Sequence, residues 1–119
     1  MGQLNGSEIL AKALKREGVE ELFFLMGGPM LAAEAATIQE GIRCIDVRHE
    51  QAAAMMAQAY SRLRQKPGFC MAASGPATIN LTTGLANALI DCCPVVALGG
   101  ASPMLGNGKQ VFQEIDQME

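Results

Sequence analysis

Short apolar segments alternate along this chain with longer segments of helical periodicity, and turns that contain glycine or proline join them. Because the connections are short and pass through helices, successive strands must pair in parallel with right-handed crossovers. Helices then cover both faces of the sheet, which is why its strands are apolar throughout. The pattern predicts an α/β fold: an open three-layer sandwich with a mostly parallel sheet, flavodoxin-like and doubly wound. The predicted strands are Glu21–Leu25, Arg43–Val47, Gly68–Ala73 and Pro94–Leu98.

The helices are predicted from capping signals and periodicity. Asn5 followed by Glu8 is typical of a capping box, and the apolar periodicity then continues until Gly18 ends the first helix. An alanine-rich second helix ends at Gly41. Two longer helices are predicted at about Glu50–Arg64 and Thr78–Ile90.

The chain loses this regularity after Gly99-Gly100. Ala101–Gln110 is rich in Gly, Ser, Pro and Asn, which predicts an irregular loop. Val111–Met118 resembles the beginning of a further element, with no helix long enough to cover the sheet. We therefore expect residues 1–119 to form one domain that is truncated at its carboxyl-terminal end, an incomplete fragment of a longer multidomain protein.

Composition excludes several classes of protein. The net charge is −3 and the nine basic residues are not clustered, so we expect no nucleic-acid partner. No apolar run is long enough to cross a membrane, and no signal peptide precedes the first helix. The four cysteines lack C-x-x-C spacing and, with a single histidine, make a poor zinc set. We interpret them as reduced, which favours a cytoplasmic protein.

Three predicted strand ends carry candidate ligand groups, and in a parallel sheet such ends lie along one edge. They are Gly27-Gly28-Pro29, Arg48-His49-Glu50-Gln51 and Ser74-Gly75-Pro76-Ala77-Thr78. Ordinary turns explain the glycines better than a ligand site does, and Ser74 or Thr78 can cap the helix that follows, with Ser74 interpreted as a turn or capping residue. No G-x-G-x-x-G or G-x-x-x-x-G-K-[S/T] pattern occurs, so phosphate binding has no motif support.

Glu50 is the residue at these strand ends that most needs an explanation. A carboxylate in a first helical turn is stabilised by the helix dipole whatever its function, so local sequence leaves a structural and a functional role open. His49 beside it is more often a capping or packing residue than a general base. Ser74 lacks the frame of a nucleophile elbow.

Five motifs in order resemble one known family. They are R-H-E-Q-A-A-A-M-M-A, K-P-G-F, S-G-P-A-T-I-N-L-T-T-G-L-A-N-A, D-C-C-P-V-V-A-L-G-G and V-F-Q-E-I-D. The resemblance is to the amino-terminal pyrimidine-binding domain of thiamine diphosphate-dependent enzymes, in the group of acetolactate synthase, oxalyl-CoA decarboxylase and benzoylformate decarboxylase. It covers nearly the whole chain. It implies an enzyme that cleaves or joins C–C bonds next to a carbonyl, with the domain alone inactive.

The resemblance implies a role for particular residues. Glu50 would be catalytic, hydrogen-bonding the ring nitrogen of the cofactor's aminopyrimidine and so promoting proton loss from the thiazolium carbon. Phe112 and Gln113 would face the substrate. The implied cofactor-binding residues are Gly27, Pro29, Glu50, Gly75, Pro76 and Asn80.

Two positions depart from the family pattern. The order Gly27-Gly28-Pro29 stands where many relatives have glycine-proline-glycine, and Ala77 stands where many have a second glycine. If Ala77 needs a positive φ, the strain costs roughly 1 kcal/mol or more.

The resemblance also implies partners that this chain does not contain. Thiamine diphosphate would need Mg²⁺, held with the diphosphate by a separate domain of another subunit, so no metal ligand is assigned here. A homodimer or homotetramer acting on a small 2-oxo acid or acyl substrate would follow. The face Met55, Met56, Ala59, Tyr60 and Leu63 is interpreted as core or subunit interface. Two alternatives stay open: a stand-alone non-catalytic module that pairs with a partner chain, and an unrelated flavodoxin-like domain that binds a small anion.

Overall fold

The computed structural model describes residues 3–117, which fold into four strands and five α-helices. The strands are β1 (Glu21–Phe24), β2 (Arg43–Asp46), β3 (Gly68–Ser74) and β4 (Val95–Gly100). The helices are α1 (Gly6–Arg16), α2 (Leu31–Gln39), α3 (Glu50–Arg64), α4 (Pro76–Asn80) and α5 (Thr82–Ile90). Short 3₁₀ turns occupy Gly28–Met30 and Met104–Gly106.

The four strands form one sheet in the order β2-β1-β3-β4, and every pair is parallel. Helices α1 and α2 pack on one face and α3 to α5 on the other, so the predicted three-layer α/β sandwich is confirmed. The chain leaves β1 toward β2 and then crosses back to β3 on the other side of β1. This reversal is the topological switch point of a doubly wound sheet.

Side chains alternate along the strands between the two faces of the sheet and so contribute to two separate cores. Leu22, Phe24 and Met71 face α1 and α2, whereas Phe23 and Cys70 face α3. Burial on both faces is the reason the central strands β1 and β3 are almost entirely apolar, whereas the edge strand β2 contains Arg43 and Asp46 and is only partly buried.

Helix α3 packs against the sheet through alanines, not through its methionines. Ala53, Ala54 and Ala57 are fully buried. A Cβ added to Gly68 would lie 1.9 Å from the carbonyl oxygen of Ala57, so the helix and β3 touch backbone to backbone. The glycine and the alanines permit this close approach because larger side chains would hold the two elements apart.

The core interpretation of the methionine face is wrong for the exposed residues Met55, Met56, Ala59 and Leu63, and it is confirmed for Tyr60, which packs against Phe23. Met55 and Met56 are about two-fifths exposed and Leu63 is 83% exposed. The exposed residues lie on the outside because the smaller alanines allow α3 its tightest contact with the sheet. Its role as a subunit interface stays a prediction.

Local signals placed most helix ends correctly. Asn5 and Glu8 form the predicted capping box, and Gly18 and Gly41 have φ values of +78° and +74° just after α1 and α2. Glycine avoids the steric cost that a side chain would meet in that region.

The segment after β3 differs from its prediction. The single helix predicted at Thr78–Ile90 is two helices, α4 and α5, with buried Leu81 between them. Gly75 is the N-cap, and no side chain caps α4, so the capping role predicted for Ser74 or Thr78 is wrong. The Thr78 hydroxyl instead donates back to the carbonyl of Ala73 at 2.7 Å.

Ala77 carries no backbone strain. It lies inside α4, and the positive φ of this turn, +60°, belongs to Gly75. The strain considered for Ala77 is therefore absent because the glycine two residues earlier absorbs the unusual conformation.

The segment after β4 is largely irregular, as predicted. Strand β4 itself extends through Gly99 and Gly100, two residues beyond its predicted end, because both pair with β3. Residues 111–117 contain no helix or strand, so the described part of the predicted further element is not one; Met118 lies outside the described residues. Within residues 3–117, no helix is long and apolar enough to span a membrane.

Candidate cofactor-binding site

The loops that follow β1, β3 and β4 meet at the carboxyl end of the sheet. A Cβ on Gly27 would lie 2.3 Å from the Cβ of Ala73, and one on Gly100 would lie 3.2 Å from both the Cβ of Pro29 and the amide nitrogen of Ser74. The first predicted loop thus packs against the last residues of β3 and β4, at the switch point where α/β sheets bind ligands.

Glu50 begins α3, and its side chain is buried, with the residue only 9% exposed. The Asn80 amide donates to its Oε2 at 2.9 Å. Among the described residues, this is the one hydrogen bond that the carboxylate receives from the protein. Oε1 is therefore left to accept a hydrogen bond from a bound molecule.

His49 caps the helix that carries Glu50. Its Nδ1 accepts a hydrogen bond from the Gln51 amide at 3.1 Å, and its φ of −158° is ordinary extended backbone. A ring nitrogen that accepts this bond is not free to act as a base. The capping interpretation of His49 agrees with this geometry.

Gly75 links the end of β3 to the carboxyl-terminal segment. Its amide donates to Oε1 of Gln117 at 2.9 Å, and Nε2 of Gln117 donates to the carbonyl of Gly100 at 2.7 Å. A Cβ on Gly75 would lie 2.1 Å from the carbonyl oxygen of Gln113. Gly75 is thus required by close backbone contact as well as by its positive φ.

The structure places the predicted site residues in separate local contacts. Glu50 and Asn80 share a hydrogen bond, Gly27 and Pro29 adjoin the ends of β3 and β4, and Gln113 lies against Gly75. Phe112 differs from these residues because it is 87% exposed.

Sequence reasoning missed Gln117. Its side chain bridges the ends of β3 and β4, but a lone glutamine in an irregular segment has no spacing or periodicity that marks it. The bond between Asn80 and Glu50 was also unpredicted, since it joins residues 30 positions apart.

Hydrogen bonds, burial and nearby charge shift the pKa values of two carboxyl groups, one in the irregular segment and one on α2. Glu114 accepts hydrogen bonds from the amides of Gly108 and Val111, and the Gly108 bond in particular lowers the pKa of its carboxyl. On α2, burial and then the charge of Asp46 raise the pKa of Glu34. Residues 3–117 contain no group of three or more His, Cys, Asp or Glu side chains that could hold a metal ion.

Two cavities lie outside the Glu50 region. One of about 820 Å³ runs between the loop after β4 and residues 113–117, and Gln113 is the one predicted site residue that lines it. Another of about 540 Å³ lies at the amino ends of the strands, lined by residues such as Tyr60, Lys66 and Phe69. The second cavity contains no predicted site residue, because ligand loops follow the opposite ends of the strands.

The fold is thus an α/β domain with a switch point, and a buried carboxylate follows one of its strands, which is the kind of place where such domains bind small molecules. Comparison with known proteins identifies the family. The model of the thiamine pyrophosphate enzyme N-terminal TPP-binding domain matches residues 4–119. The chain belongs to this family of thiamine pyrophosphate enzymes, whose cofactor is thiamine diphosphate.

Its curated relatives are much longer enzymes. The chain is 43% identical over 115 residues to the chloroplastic acetolactate synthase of Arabidopsis thaliana, with 96% of this chain and 17% of that protein covered. It is 42% identical to the large subunit of acetolactate synthase isozyme 2 of Escherichia coli K12, over 95% of the chain and 21% of the relative. Identity to human 2-hydroxyacyl-CoA lyase 1 is 38%, over 98% and 20%. The chain therefore spans about a fifth of each relative's length.

Proposed function

We propose that this chain binds the aminopyrimidine half of thiamine diphosphate at the strand ends and that Glu50 activates the cofactor. The observation that carries the proposal is the buried Glu50 carboxylate, whose Oε2 is occupied by Asn80 and whose Oε1 receives no hydrogen bond from the described residues. Family membership supports the same cofactor.

The residues present fit an aminopyrimidine ring. A ring nitrogen that carries a proton could donate to Oε1 of Glu50, and a hydrogen bond to a charged carboxylate is stronger than one between neutral groups. Gly27 and Gly75 let the backbone at this end of the sheet pack closely, against Ala73 and Gln113 respectively. Pro29 and Pro76 have no amide hydrogen and flank this region as apolar walls.

Each residue of the chain then has a specific task. Glu50 would hold the ring through a hydrogen bond to its nitrogen, and the burial of this residue would strengthen that bond relative to one in water. His49 fixes the start of α3 and with it the position of Glu50. When bound, thiamine diphosphate supplies a carbon nucleophile and an electron sink, chemistry that protein side chains lack.

The complete protein is proposed to be a lyase or carboligase that cleaves or joins C–C bonds next to a carbonyl. Relatives of both kinds, acetolactate synthases and a 2-hydroxyacyl-CoA lyase, support this reaction class. Its substrate would be a small 2-oxo acid or acyl compound, with Phe112 and Gln113 toward it. Exposed Phe112 would gain contacts only from another part of the assembly.

The site would be completed by a partner. A diphosphate-binding domain of another subunit would hold the diphosphate and Mg²⁺, in a homodimer or homotetramer. The exposed methionines of α3 support an interface there, since Met side chains adapt to a partner surface. The four cysteines form no disulfide, which supports a reducing compartment such as the cytoplasm.

The test is the exchange of the thiazolium C2 proton of bound thiamine diphosphate in deuterium oxide, measured by NMR after acid quench. This readout needs no knowledge of the substrate. In the full-length protein loaded with thiamine diphosphate and Mg²⁺, Glu50→Gln should slow exchange by about 10²–10⁴-fold, the usual contribution of a positioned acid or base.

Glu40→Gln is the matched control. It removes a carboxylate of the same length that pairs with Lys12 on the opposite face of the sheet. Exchange should be unchanged in this variant, and the thermal midpoint of Glu50→Gln should stay close to that of the parent protein. Unchanged exchange in Glu50→Gln, or no binding of thiamine diphosphate to the parent protein, would overturn the proposal.

A further inference from the structure

Asn80 contacts the carboxylate of Glu50, not open space at the strand ends. Its Nδ2 donates to Oε2 at 2.9 Å, although family resemblance alone had assigned it to the cofactor. We propose that Asn80 is a positioning residue that orients the Glu50 carboxylate and acts on the cofactor only through it. This inference rests on the proposed function of Glu50.

The burial of the two residues explains why this single bond matters. Glu50 is 9% exposed, whereas Asn80 is among the exposed residues of its helix. A buried carboxylate without a donor carries the full cost of its lost hydration, and a charge-assisted bond offsets part of that cost. Asn80 also decides which oxygen is engaged, so the other oxygen is presented to a ligand in a defined direction.

The fold holds Asn80 in place from both sides. It is the last residue of α4, and its neighbours Ala77 and Leu81 are 7% and 0% exposed. These two residues lie one helical turn apart and both belong to the core that includes α3. The backbone that carries Asn80 is therefore fixed relative to the helix that carries Glu50.

A second asparagine makes an equivalent contact nearby. Asn87 of α5 donates through Nδ2 to Oε1 of Gln58 on α3 at 2.8 Å. Both asparagines are exposed, and each joins this pair of short helices to α3 through one amide hydrogen bond. Asn87→Ala therefore removes the same kind of link and spares Glu50, which makes it the matched control.

The test is a double-mutant cycle in the full-length protein, with Asn80→Ala and Glu50→Ala made singly and together. Three quantities are measured: the C2 exchange rate of bound thiamine diphosphate, its dissociation constant by calorimetry with Mg²⁺ present, and the urea midpoint of the cofactor-free protein. Asn80→Ala should slow exchange about tenfold, which is the size expected from losing a hydrogen bond to a charged group. In the Glu50→Ala background the same change should have no further effect on exchange or affinity.

Two other variants distinguish a positioning role of Asn80 from an effect of side-chain size and from a loss of stability. Asn80→Asp keeps the shape but replaces the donor by a like charge, so it should slow exchange at least as much as Asn80→Ala. Asn87→Ala should lower the urea midpoint about as much as Asn80→Ala and leave exchange and affinity within twofold of the parent protein.

The outcomes distinguish this inference from the proposed function. If Glu50→Ala leaves exchange unchanged, the function assigned to Glu50 fails. If Glu50→Ala abolishes exchange but Asn80→Ala still weakens cofactor binding in that background, Asn80 touches the cofactor directly and only the positioning role fails. Restoration of exchange by Asn80→Asp, or an equal loss in Asn87→Ala, would likewise overturn the positioning role.

Discussion

The substitution Gly84→Ala should have two effects of opposite sign on the free energy of unfolding. Gly84 lies inside α5, where alanine would favour the helix by about 0.5–1 kcal/mol. A Cβ at this position would lie 2.5 Å from the Cβ of Ala54 and 3.1 Å from the amide nitrogen of Met55 on α3. Ala54 is fully buried and has no rotamer to change, so the contact can be relieved only by moving a helix.

The packing effect should exceed the propensity effect. Carbon atoms pack best at about 3.5–4.0 Å, so the two helices would have to separate by roughly 1 Å. Overpacking of this kind costs about 1–3 kcal/mol, which leaves a net loss on the order of 1–2 kcal/mol after the gain in helix propensity. A domain of 119 residues has an unfolding entropy of about 250 cal/mol/K, so the thermal midpoint should fall by roughly 4–8 °C.

Calorimetry and urea unfolding of matched variants would check this prediction. Gly6→Ala is the control, because it places the same methyl group on a helix with no heavy atom within 4 Å, and it should be neutral or slightly stabilising. In an Ala54→Gly background the 2.5 Å contact is absent and the 3.1 Å contact with Met55 stays, so Gly84→Ala should destabilise the protein much less. A stabilising effect in the parent protein, or an equal loss in both backgrounds, would refute the argument from close packing.

Two further predictions concern the end of β3 and the buried thiol. Gly75→Ala should lower the free energy of unfolding by about 1–3 kcal/mol, because it forces a side chain into a φ of +60° and against Gln113. It should also shift the amide NMR resonance of Gln117. An unchanged urea midpoint would contradict this prediction. Burial raises the pKa of the Cys70 thiol from 9.0 to about 12, so the unfolded chain loses this proton first as the pH rises. Stability supplied by this group should be complete below pH 9 and fall between pH 9 and 12, and Cys70→Ala should show a shallower fall in urea titrations; equal slopes would be evidence against the burial effect.

The architecture was predictable because it depends on signals within a few residues of each other. The capping box of Asn5, the glycines at 18 and 41, and the apolar strands each specify a local conformation. Parallel pairing then follows from the helical connections, without knowledge of any distant contact.

The predictions that were wrong concern features that tertiary packing decides. The periodicity of α3 offers both a methionine face and an alanine face, and the sheet selects the alanines because Gly68 lets the backbones touch. The break at Leu81 is likewise invisible to local pattern, because the flanking residues 76–90 are compatible with one continuous helix.

The candidate site was predictable only in part for the same reason. Glu50 could be singled out from its place at a strand end, although its role came from the resemblance. The contacts of Asn80 and Gln117 join residues 17 to 42 positions apart, and amide side chains have no spacing rule at such separations.

The backbone contact between Gly68 and Ala57 bears on how accurately the protein can place its carboxylate. Ala57 lies seven residues along α3 from Glu50, which corresponds to roughly 10 Å of helix. At this contact no side-chain torsion lies between α3 and β3, so heat or a bound molecule cannot shift this point of the helix by exchanging rotamers. Tyr60 and Phe23 pack together elsewhere between the same helix and the sheet. One added methyl group at residue 68 would therefore displace the Glu50 carboxylate from a distance. Substitutions at the contact between α3 and β3 would then be limited by the chemistry of Glu50 as well as by folding.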